Sequence, residues 1–215
     1  MGKYYLFSDF SKENGFSLIA DEFKRDLKDY NKMVFIASDP SIGEITDKYA
    51  EKYLKWFEKI GINFENKVVL DNRLDSKKMI NEIKDASLIY LMGGTTLLQM
   101  KFLRDNRLVE SIVNTDCLII GLSAGAINMA KTSILTTTCG HDKQEIYKGI
   151  GLLDKTVEPH FTLDNFNDEL KELSYKYLIY GMCDESAIIV RDDKCTYYGD
   201  IYILKNGTAE KVISI

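Results

Sequence analysis

The stretch Cys117-Leu-Ile-Ile-Gly-Leu-Ser-Ala-Gly-Ala-Ile-Asn-Met-Ala130 is the most informative part of the sequence. An apolar run enters Gly121-Leu-Ser-Ala-Gly125, and an alanine-rich segment leaves it. This order predicts a buried strand, a tight turn and a helix. The hydroxyl of Ser123 is then expected above the carboxyl edge of a sheet, where open α/β folds bind ligands.

Outward from this stretch, short apolar runs alternate with longer amphipathic segments, a pattern typical of βαβ units. The candidate strands are Tyr4–Phe7, Met33–Ala37, Lys67–Leu70, Leu88–Leu91 and Cys117–Ile120. The candidate helices are Phe16–Tyr30, Ile45–Ile60, Ser76–Lys84, Thr96–Asn106 and, after an extended segment at Thr156–Pro159, Asn165–Tyr177. The sequence therefore predicts a three-layer αβα fold with an open, mostly parallel sheet, formed by residues 1–215 as one domain.

The segment Ile45–Ile60 has apolar or aromatic residues near the 3.6-residue period of a helix that lies on a sheet. We interpret this stripe as core packing and not as an aromatic binding face. The stripe consists of Ile45, Tyr49, Tyr53, Trp56, Phe57 and Ile60.

The end of the chain consists of short β-type runs, which predict antiparallel strands that extend the sheet. These runs are Ala187–Val190, Lys194–Tyr198, Ile201–Leu204 and Val212–Ile215. Asn206-Gly207 lies between two of them and is a strong signal for a two-residue hairpin.

Composition argues against several classes of function. The formal charge is -5 with 28 basic and 33 acidic residues, so no nucleic-acid footprint is expected. No apolar segment approaches the roughly 18 residues of a membrane span, and the N-terminal apolar run is too short for a signal peptide, so we expect a cytoplasmic protein. The 4 cysteines form no C-x-x-C pair and are expected to be free thiols, and no metal or cofactor is implied.

Gly121-Leu-Ser-Ala-Gly125 matches the G-x-S-x-G nucleophile elbow, in which small neighbours permit a strained turn. Ser123 is thus the candidate nucleophile. The alternative is that Ser123 only caps the following helix and the glycines allow close packing.

A second glycine turn follows the strand Leu88–Leu91. Backbone amides of Gly94 and Ala124 could form an oxyanion hole for acyl transfer, and Gly93 and Thr95 are candidate substrate-binding residues. The alternative is an ordinary βα turn in which Thr95 or Thr96 caps a helix. The sequence contains neither of the two phosphate-binding patterns, G-x-x-x-x-G-K-[ST] and G-x-G-x-x-G.

A serine nucleophile needs a general base, and the chain offers two histidines, His141 and His160. His160 follows an extended segment and is preferred, because His141 lies in a polar stretch typical of an exposed loop. For the acid that orients the imidazole we favour Glu185, ahead of Asp184 and then Asp142. A solvated acidic turn is the alternative for these carboxylates.

Together these residues resemble peptidase family S51, which includes dipeptidase E (α-aspartyl dipeptidase) and the cyanophycinases and shares the class I glutamine amidotransferase-like, flavodoxin-like fold. The resemblance rests on the turn Gly93-Gly94, the segments Gly121–Ala126 and Pro159–Phe161, and Asp184–Ala187 before the closing strands. It implies a Ser123, His160 and Glu185 triad, with Gly94 and Ala124 as oxyanion donors.

By the same resemblance the partner is a small peptide substrate, and a homodimer is a further expectation. From the composition, neither nucleic acid nor a membrane is expected as a partner. The family often has an arginine in the helix after its histidine, whereas this chain reads Asn165-Phe-Asn-Asp-Glu-Leu-Lys-Glu172 there. Specificity for aspartyl peptides is therefore open. Two alternative functions remain: an amide or ester hydrolase that uses the same residues, and a degenerate member that binds a ligand or a partner.

Overall fold

The computed structural model describes residues 2–139 and 141–213. Its strands are β1 (Lys3–Phe7), β2 (Lys32–Ile36), β3 (Asn66–Leu70), β4 (Leu88–Leu91), β5 (Leu118–Leu122), β6 (Thr132–Leu135), β7 (Glu145–Lys148), β8 (Thr156–Pro159), β9 (Ile179–Met182), β10 (Ala187–Arg191), β11 (Lys194–Tyr198), β12 (Ile201–Lys205) and β13 (Thr208–Lys211). Its α-helices are α1 (Ala20–Asp26), α2 (Gly43–Lys59), α3 (Ser76–Lys84), α4 (Thr96–Asp105), α5 (Leu108–Val113), α6 (Ala124–Met129) and α7 (Asp168–Ser174). Short 3₁₀ turns lie at Ser17–Ile19, Thr137–Cys139 and Leu163–Asn165.

The central sheet has seven strands in the order β11-β10-β1-β5-β4-β2-β3. The five strands from β1 to β3 in this order pair in parallel, and β10 and β11 add antiparallel pairs at one edge. This arrangement confirms the predicted mixed α/β fold with a mostly parallel sheet flanked by helices.

Both faces of the sheet are buried, which explains why its strands read as continuous apolar runs. In β1, Leu6 contributes to the core cluster on one face, while Tyr5 and Phe7 contribute to the cluster on the other. Successive side chains of a strand point to opposite faces, so one strand supplies both cores. The parallel pairing leaves the carboxyl ends of β1, β5, β4 and β2 at one edge.

The C-terminal strands divide between two sheets. β10 and β11 extend the central sheet as expected, whereas β12 and β13 belong to a four-stranded sheet in the order β13-β12-β9-β8. The prediction that all of them extend one sheet is therefore wrong for the last two. Gly199, with a φ of 70°, lies at the turn where the chain leaves the first sheet for the second.

The two-residue hairpin at Asn206-Gly207 is confirmed, because Lys205 pairs with Thr208 and both loop residues have positive φ, at 52° and 77°. This tight turn starts β13 immediately after Gly207. The expected strand Val212–Ile215 is therefore wrong at Val212, which follows β13, and its last two residues lie outside the described part of the chain.

Two helices are shorter than predicted. Within Phe16–Tyr30 only a 3₁₀ turn and α1 form, because Leu27 adopts an extended conformation after Asp26. The segment Asn165–Tyr177 contains α7, whose N-cap Asn167 accepts a hydrogen bond from the amide of Leu170. No helix in residues 2–139 and 141–213 has the length and apolar character needed to cross a bilayer.

Candidate active site

Ser123 lies between β5 and α6 in a strained conformation, with φ 46° and ψ -105°. L-residues rarely adopt positive φ, and neighbouring contacts hold this one in place. Its amide donates to the carbonyl of Phe7 in β1 at 2.8 Å, and its carbonyl accepts from the amide of Ile127 at 3.0 Å. Although Ser123 occupies the N-cap position of α6, its side chain makes no capping hydrogen bond. The capping alternative is therefore wrong.

The glycine two residues later allows α6 to approach the sheet. A Cβ atom at Gly125 would collide with the carbonyl oxygen of Leu91 in β4. Close packing, offered above as the alternative to function, is thus a real requirement of the turn. It coexists with the strained serine.

His160 follows β8 and contacts the serine directly, with 2.9 Å between its Nε2 and Ser123 Oγ. Its backbone, with φ 57°, is held from two sides. Its amide donates to Ser8 Oγ at 2.8 Å, and its carbonyl accepts from Asn165 Nδ2 at 3.2 Å. The expectation that His160 rather than His141 approaches the serine therefore agrees with the geometry.

The acid beside His160 is Asp184, whose Oδ1 lies 2.7 Å from His160 Nδ1. The same oxygen accepts a hydrogen bond from Ser8 Oγ at 3.0 Å. Both ring nitrogens of His160 thus have partners, which leaves no position there for Asp142. The predicted contact between Glu185 and His160 is wrong.

Glu185 instead braces the loop after β1. Its Oε1 accepts from the Ser11 amide at 2.6 Å and its Oε2 from Asn14 Nδ2 at 3.4 Å, while its own amide donates to the Asp9 carbonyl. The physical reason is the backbone turn, because Glu185 has a φ of 63° and its side chain leaves the turn in another direction from that of Asp184.

The second glycine turn borders the same cleft. Gly94 has a φ of 131°, and a Cβ atom there would collide with Ser38 Oγ. That hydroxyl donates to the Gly93 carbonyl at 2.7 Å and so fixes the turn. Thr95 is the N-cap of α4 but makes no side-chain capping bond, and Ala124 is buried at the first position of α6. The oxyanion and substrate-binding roles of these residues stay predictions.

The cleft around these groups has a volume of about 660 Å³. Its walls come from the carboxyl ends of the parallel strands and from α2. The lining residues are Asp9, Ser38, Asp39, Ile42, Ile45, Thr46, Tyr49, Lys52, Tyr53, Met92, Gly93, Gly94, Thr95, Thr96, Leu122, Ser123, Ile127, His141 and His160. His141, expected in an exposed loop, therefore also borders the cleft.

The stripe on α2 is partly a cleft wall, so its interpretation as core packing needs correction. Tyr53, Trp56 and Phe57 are buried as expected, and burial of the Phe57 side chain contributes about 1.5–3 kcal/mol. Ile45 and Tyr49, by contrast, are 48% and 49% exposed and line the cleft. The first turns of α2 extend beyond the core, so the apolar residues there do not pack on the sheet and instead border the cleft.

Burial is the main influence on the ionisable groups of this wall. Burial raises the pKa of Tyr53, and the negative charge of Asp9 raises it further, so the phenol stays neutral. Burial also lowers the pKa of Lys52, against the opposing effect of Asp9.

Several site residues were not predicted from the sequence, namely Ser8, Asp9, Ser38 and the α2 residues. Ser8 and Asp9 directly follow the buried strand β1, and polar residues at that position indicate the ligand-binding edge of a parallel sheet. That signal was available. The described residues contain no group of three histidine, cysteine or acidic side chains placed to hold a metal ion.

Comparison with known proteins gives a consistent result. The family model described as Peptidase family S51 matches residues 6–198. A peptidase from an acI-B1 Actinobacterium has a similar structure, with a TM-score of 0.75 and 18% identity over 100% of this chain and 95% of that one. A candidate peptidase E protein from Listeria monocytogenes EGD-e gives a TM-score of 0.66 and 20% identity over 92% and 98% of the two chains.

Proposed function

Because the chain belongs to peptidase family S51, we propose that it is a serine peptidase that hydrolyses a short peptide through Ser123, His160 and Asp184. The observation that supports this most strongly is the continuous contact from Ser123 Oγ to His160 Nε2 at 2.9 Å and from His160 Nδ1 to Asp184 at 2.7 Å. A nucleophile, a base and an orienting acid within hydrogen-bond reach constitute the arrangement that acyl transfer requires.

In the proposed reaction, Ser123 Oγ attacks the peptide carbonyl while His160 Nε2 accepts the hydroxyl proton. His160 then returns that proton to the leaving amine, and water hydrolyses the acyl-enzyme with the same base. Asp184 favours the tautomer with the proton on Nδ1 and stabilises the imidazolium. In this role Asp184 replaces Glu185 of the sequence-based prediction.

The tetrahedral intermediate develops a negative charge on the former carbonyl oxygen. We assign its stabilisation to the backbone amides of Gly94 and Ala124. Gly94 borders the cleft beside Ser123, and Ala124 directly follows Ser123 at the first position of α6. Removing one such donor typically costs about 3–4 kcal/mol in the barrier.

Ser123→Ala tests the nucleophile. We expect the variant to lose labelling by a fluorophosphonate and to lose hydrolysis across a panel of dipeptides with acidic and neutral first residues. Its free energy of unfolding should stay within about 1 kcal/mol of the parent value. Ser111→Ala is a matched control, because Ser111 lies in α5 and does not line the cleft. Unchanged hydrolysis in Ser123→Ala would refute the proposal.

Two further outcomes select the alternatives. Labelling of Ser123 together with hydrolysis of esters or non-peptide amides, and of no peptide, identifies a different hydrolase that uses the same site. A labelling rate that His160→Ala leaves unaltered identifies a binding protein, because the serine would then lack an activating base.

A further inference from the structure

Lys52 projects from α2 into the wall of the cleft that contains Ser123 and His160. It is half-buried and lies on a surface of three aromatic rings. Its Nζ is 4.4 Å from the ring centroid of Trp56, 5.3 Å from that of Tyr53 and 6.0 Å from that of Tyr49. These rings hold the aliphatic stem and fix the position of the ammonium group at the cleft.

The ammonium group has no ion-pair partner within 4.0 Å among residues 2–139 and 141–213. Lys32, Arg73 and Arg191 all have carboxylate partners at such distances. Asp9 influences Lys52 from farther away, and Lys12 opposes it. A half-buried cation with only ring faces beside it retains unused capacity for an anion.

Lys52 also differs from the aspartates of the cleft in the sign of its charge. Among the described lining residues it is the one lysine or arginine, while Asp9 and Asp39 supply negative charge. A ligand carboxylate is repelled by these two aspartates and attracted to Lys52. Asp9 and Asp39 in turn suit the ammonium end of a peptide.

We propose that Lys52 binds a carboxylate of the peptide substrate and thereby determines specificity. This inference rests on the proposed function and names the chemistry of its substrate. The carboxylate comes either from the C-terminus of a short peptide or from an acidic side chain. Ile45 and Tyr49, both on the same wall of α2, provide apolar surface for the part of the peptide next to that carboxylate.

The test measures binding of four dipeptides to the Ser123→Ala protein by calorimetry: Asp-Leu, Asn-Leu and the C-terminal amide of each. Lys52→Met removes the charge and keeps the length of the side chain, and Lys52→Arg restores a cation. Lys55→Met is the matched control, because Lys55 is on the same helix, exposed and outside the cleft lining. The parallel experiment with Ser123 intact measures kcat and KM.

Lys52→Met is expected to weaken binding of the favoured carboxylate peptide by about tenfold, equivalent to 1.4 kcal/mol. It should not affect the peptide that lacks that carboxylate. Lys52→Arg should recover most of the loss, and in the intact enzyme KM should rise while kcat stays nearly constant. If Lys52→Met abolishes the preference for a free C-terminus over a C-terminal amide, the carboxylate is that of the C-terminus. If it abolishes the preference for Asp-Leu over Asn-Leu, the carboxylate is that of the side chain.

Three results would overturn the inference: equal effects of Lys52→Met and Lys55→Met on all four peptides, no preference of the Ser123→Ala protein for any carboxylate, or no binding of any peptide. The second result needs no Lys52 variant, so the test is valid even if Lys52→Met fails to fold. Lys52-dependent binding without hydrolysis by the intact chain would refute the proposed function and leave the carboxylate site in place.

Discussion

The hydroxyl of Ser8 connects His160 to Asp184 in the candidate site. Its Oγ accepts the amide hydrogen of His160 and donates to Asp184 Oδ1. Because Ser8 is fully buried at the end of β1, its position is set by the central sheet. The imidazole and its carboxylate partner are therefore aligned by the fold before any ligand enters.

Asp184→Asn is expected to lower kcat/KM by roughly 10³- to 10⁴-fold, because the amide neither stabilises the imidazolium nor favours the productive tautomer. Steady-state hydrolysis of the best dipeptide measures this. Glu185→Gln is the paired control, with an expected loss below about tenfold and a destabilisation of about 1–2 kcal/mol from the weakened loop contact. A larger effect of Glu185→Gln than of Asp184→Asn on catalysis would restore Glu185 as the orienting acid.

The sequence analysis selected Ser123 and His160, whose side chains the structure brings into contact, because each follows an apolar or extended segment at a predictable sheet edge. For the acid it favoured Glu185 over Asp184, whereas the structure places Asp184 beside the imidazole. Adjacent acids in a turn differ in direction only through backbone dihedrals, and nothing in the residue types revealed the positive φ of Glu185. The same limit applied to α2, where periodicity located the stripe but not the point at which the helix leaves the core.

At the scale of elements, a buried polar network connects the helix after the nucleophile to the second glycine turn. Gln99 of α4 donates to the carbonyls of Ile36 and Met92, and Asn128 of α6 donates to Gln99 Oε1 at 3.1 Å. Tyr147 of β7 completes the network through a 2.7 Å bond to Asn128 Oδ1. Every amide group in it is satisfied, so the network fixes α6 relative to the turn.

Asn128→Ala should lower the free energy of unfolding by about 1–3 kcal/mol for each buried partner left unsatisfied. Tyr147→Phe alone should cost about 1 kcal/mol and much less in the Asn128→Ala background, because the shared bond is then already lost. Urea unfolding of the two single variants and the double variant measures the coupling. Strict additivity would show that the two side chains act independently.

The elements predicted most accurately were those with continuous apolar or strongly periodic residues, such as β4 and α3, whose bounds agree with the structure. β6, β7 and β9 were not predicted. They are strands of four residues each. In β7, half-buried and exposed positions alternate, and in so short a polar segment this pattern does not distinguish a strand from a loop. Their pairing is decided by contacts distant in the chain.

At the scale of the molecule, an ionic cluster joins α1 to β1 and β10. Arg191 pairs with both Glu22 and Asp26, and Tyr5 donates to Asp26 at 2.7 Å. Burial alone would raise the pKa of each carboxyl, but hydrogen bonds outweigh it, from Tyr198 and Arg191 to Glu22 and from Tyr5 and Arg191 to Asp26. Both pKa values are therefore lowered in the folded protein.

Carboxyls with depressed pKa values bind fewer protons when folded than when unfolded, so their stabilisation is complete above about pH 5 and lost as the pH falls through the folded values. Arg191→Met should lower the free energy of unfolding by about 3 kcal/mol at pH 7 and flatten its decline toward pH 3. Urea unfolding at several pH values measures both effects. Arg25→Met removes an exposed partner of Glu22 and should cost at most about 1 kcal/mol. Equal losses in the two variants would contradict a stabilising role for the buried cluster.

The division of the strands between two sheets has a consequence for reactivity. Ser123 follows a strand of the large sheet, whereas His160 and Asp184 follow β8 and β9, which are parallel neighbours in the small one. The 2.9 Å contact between the Ser123 hydroxyl and the His160 imidazole therefore joins the two sheets, as do the hydrogen bonds that Ser8, which follows β1, makes to His160 and Asp184. Substitutions that shift one sheet slightly relative to the other would change the distance between the Ser123 hydroxyl and the His160 imidazole, and with it the ease with which the imidazole accepts the hydroxyl proton. The contact between Asp184 and the imidazole would be retained. We therefore expect some mutations far from the cleft to alter the reactivity of Ser123.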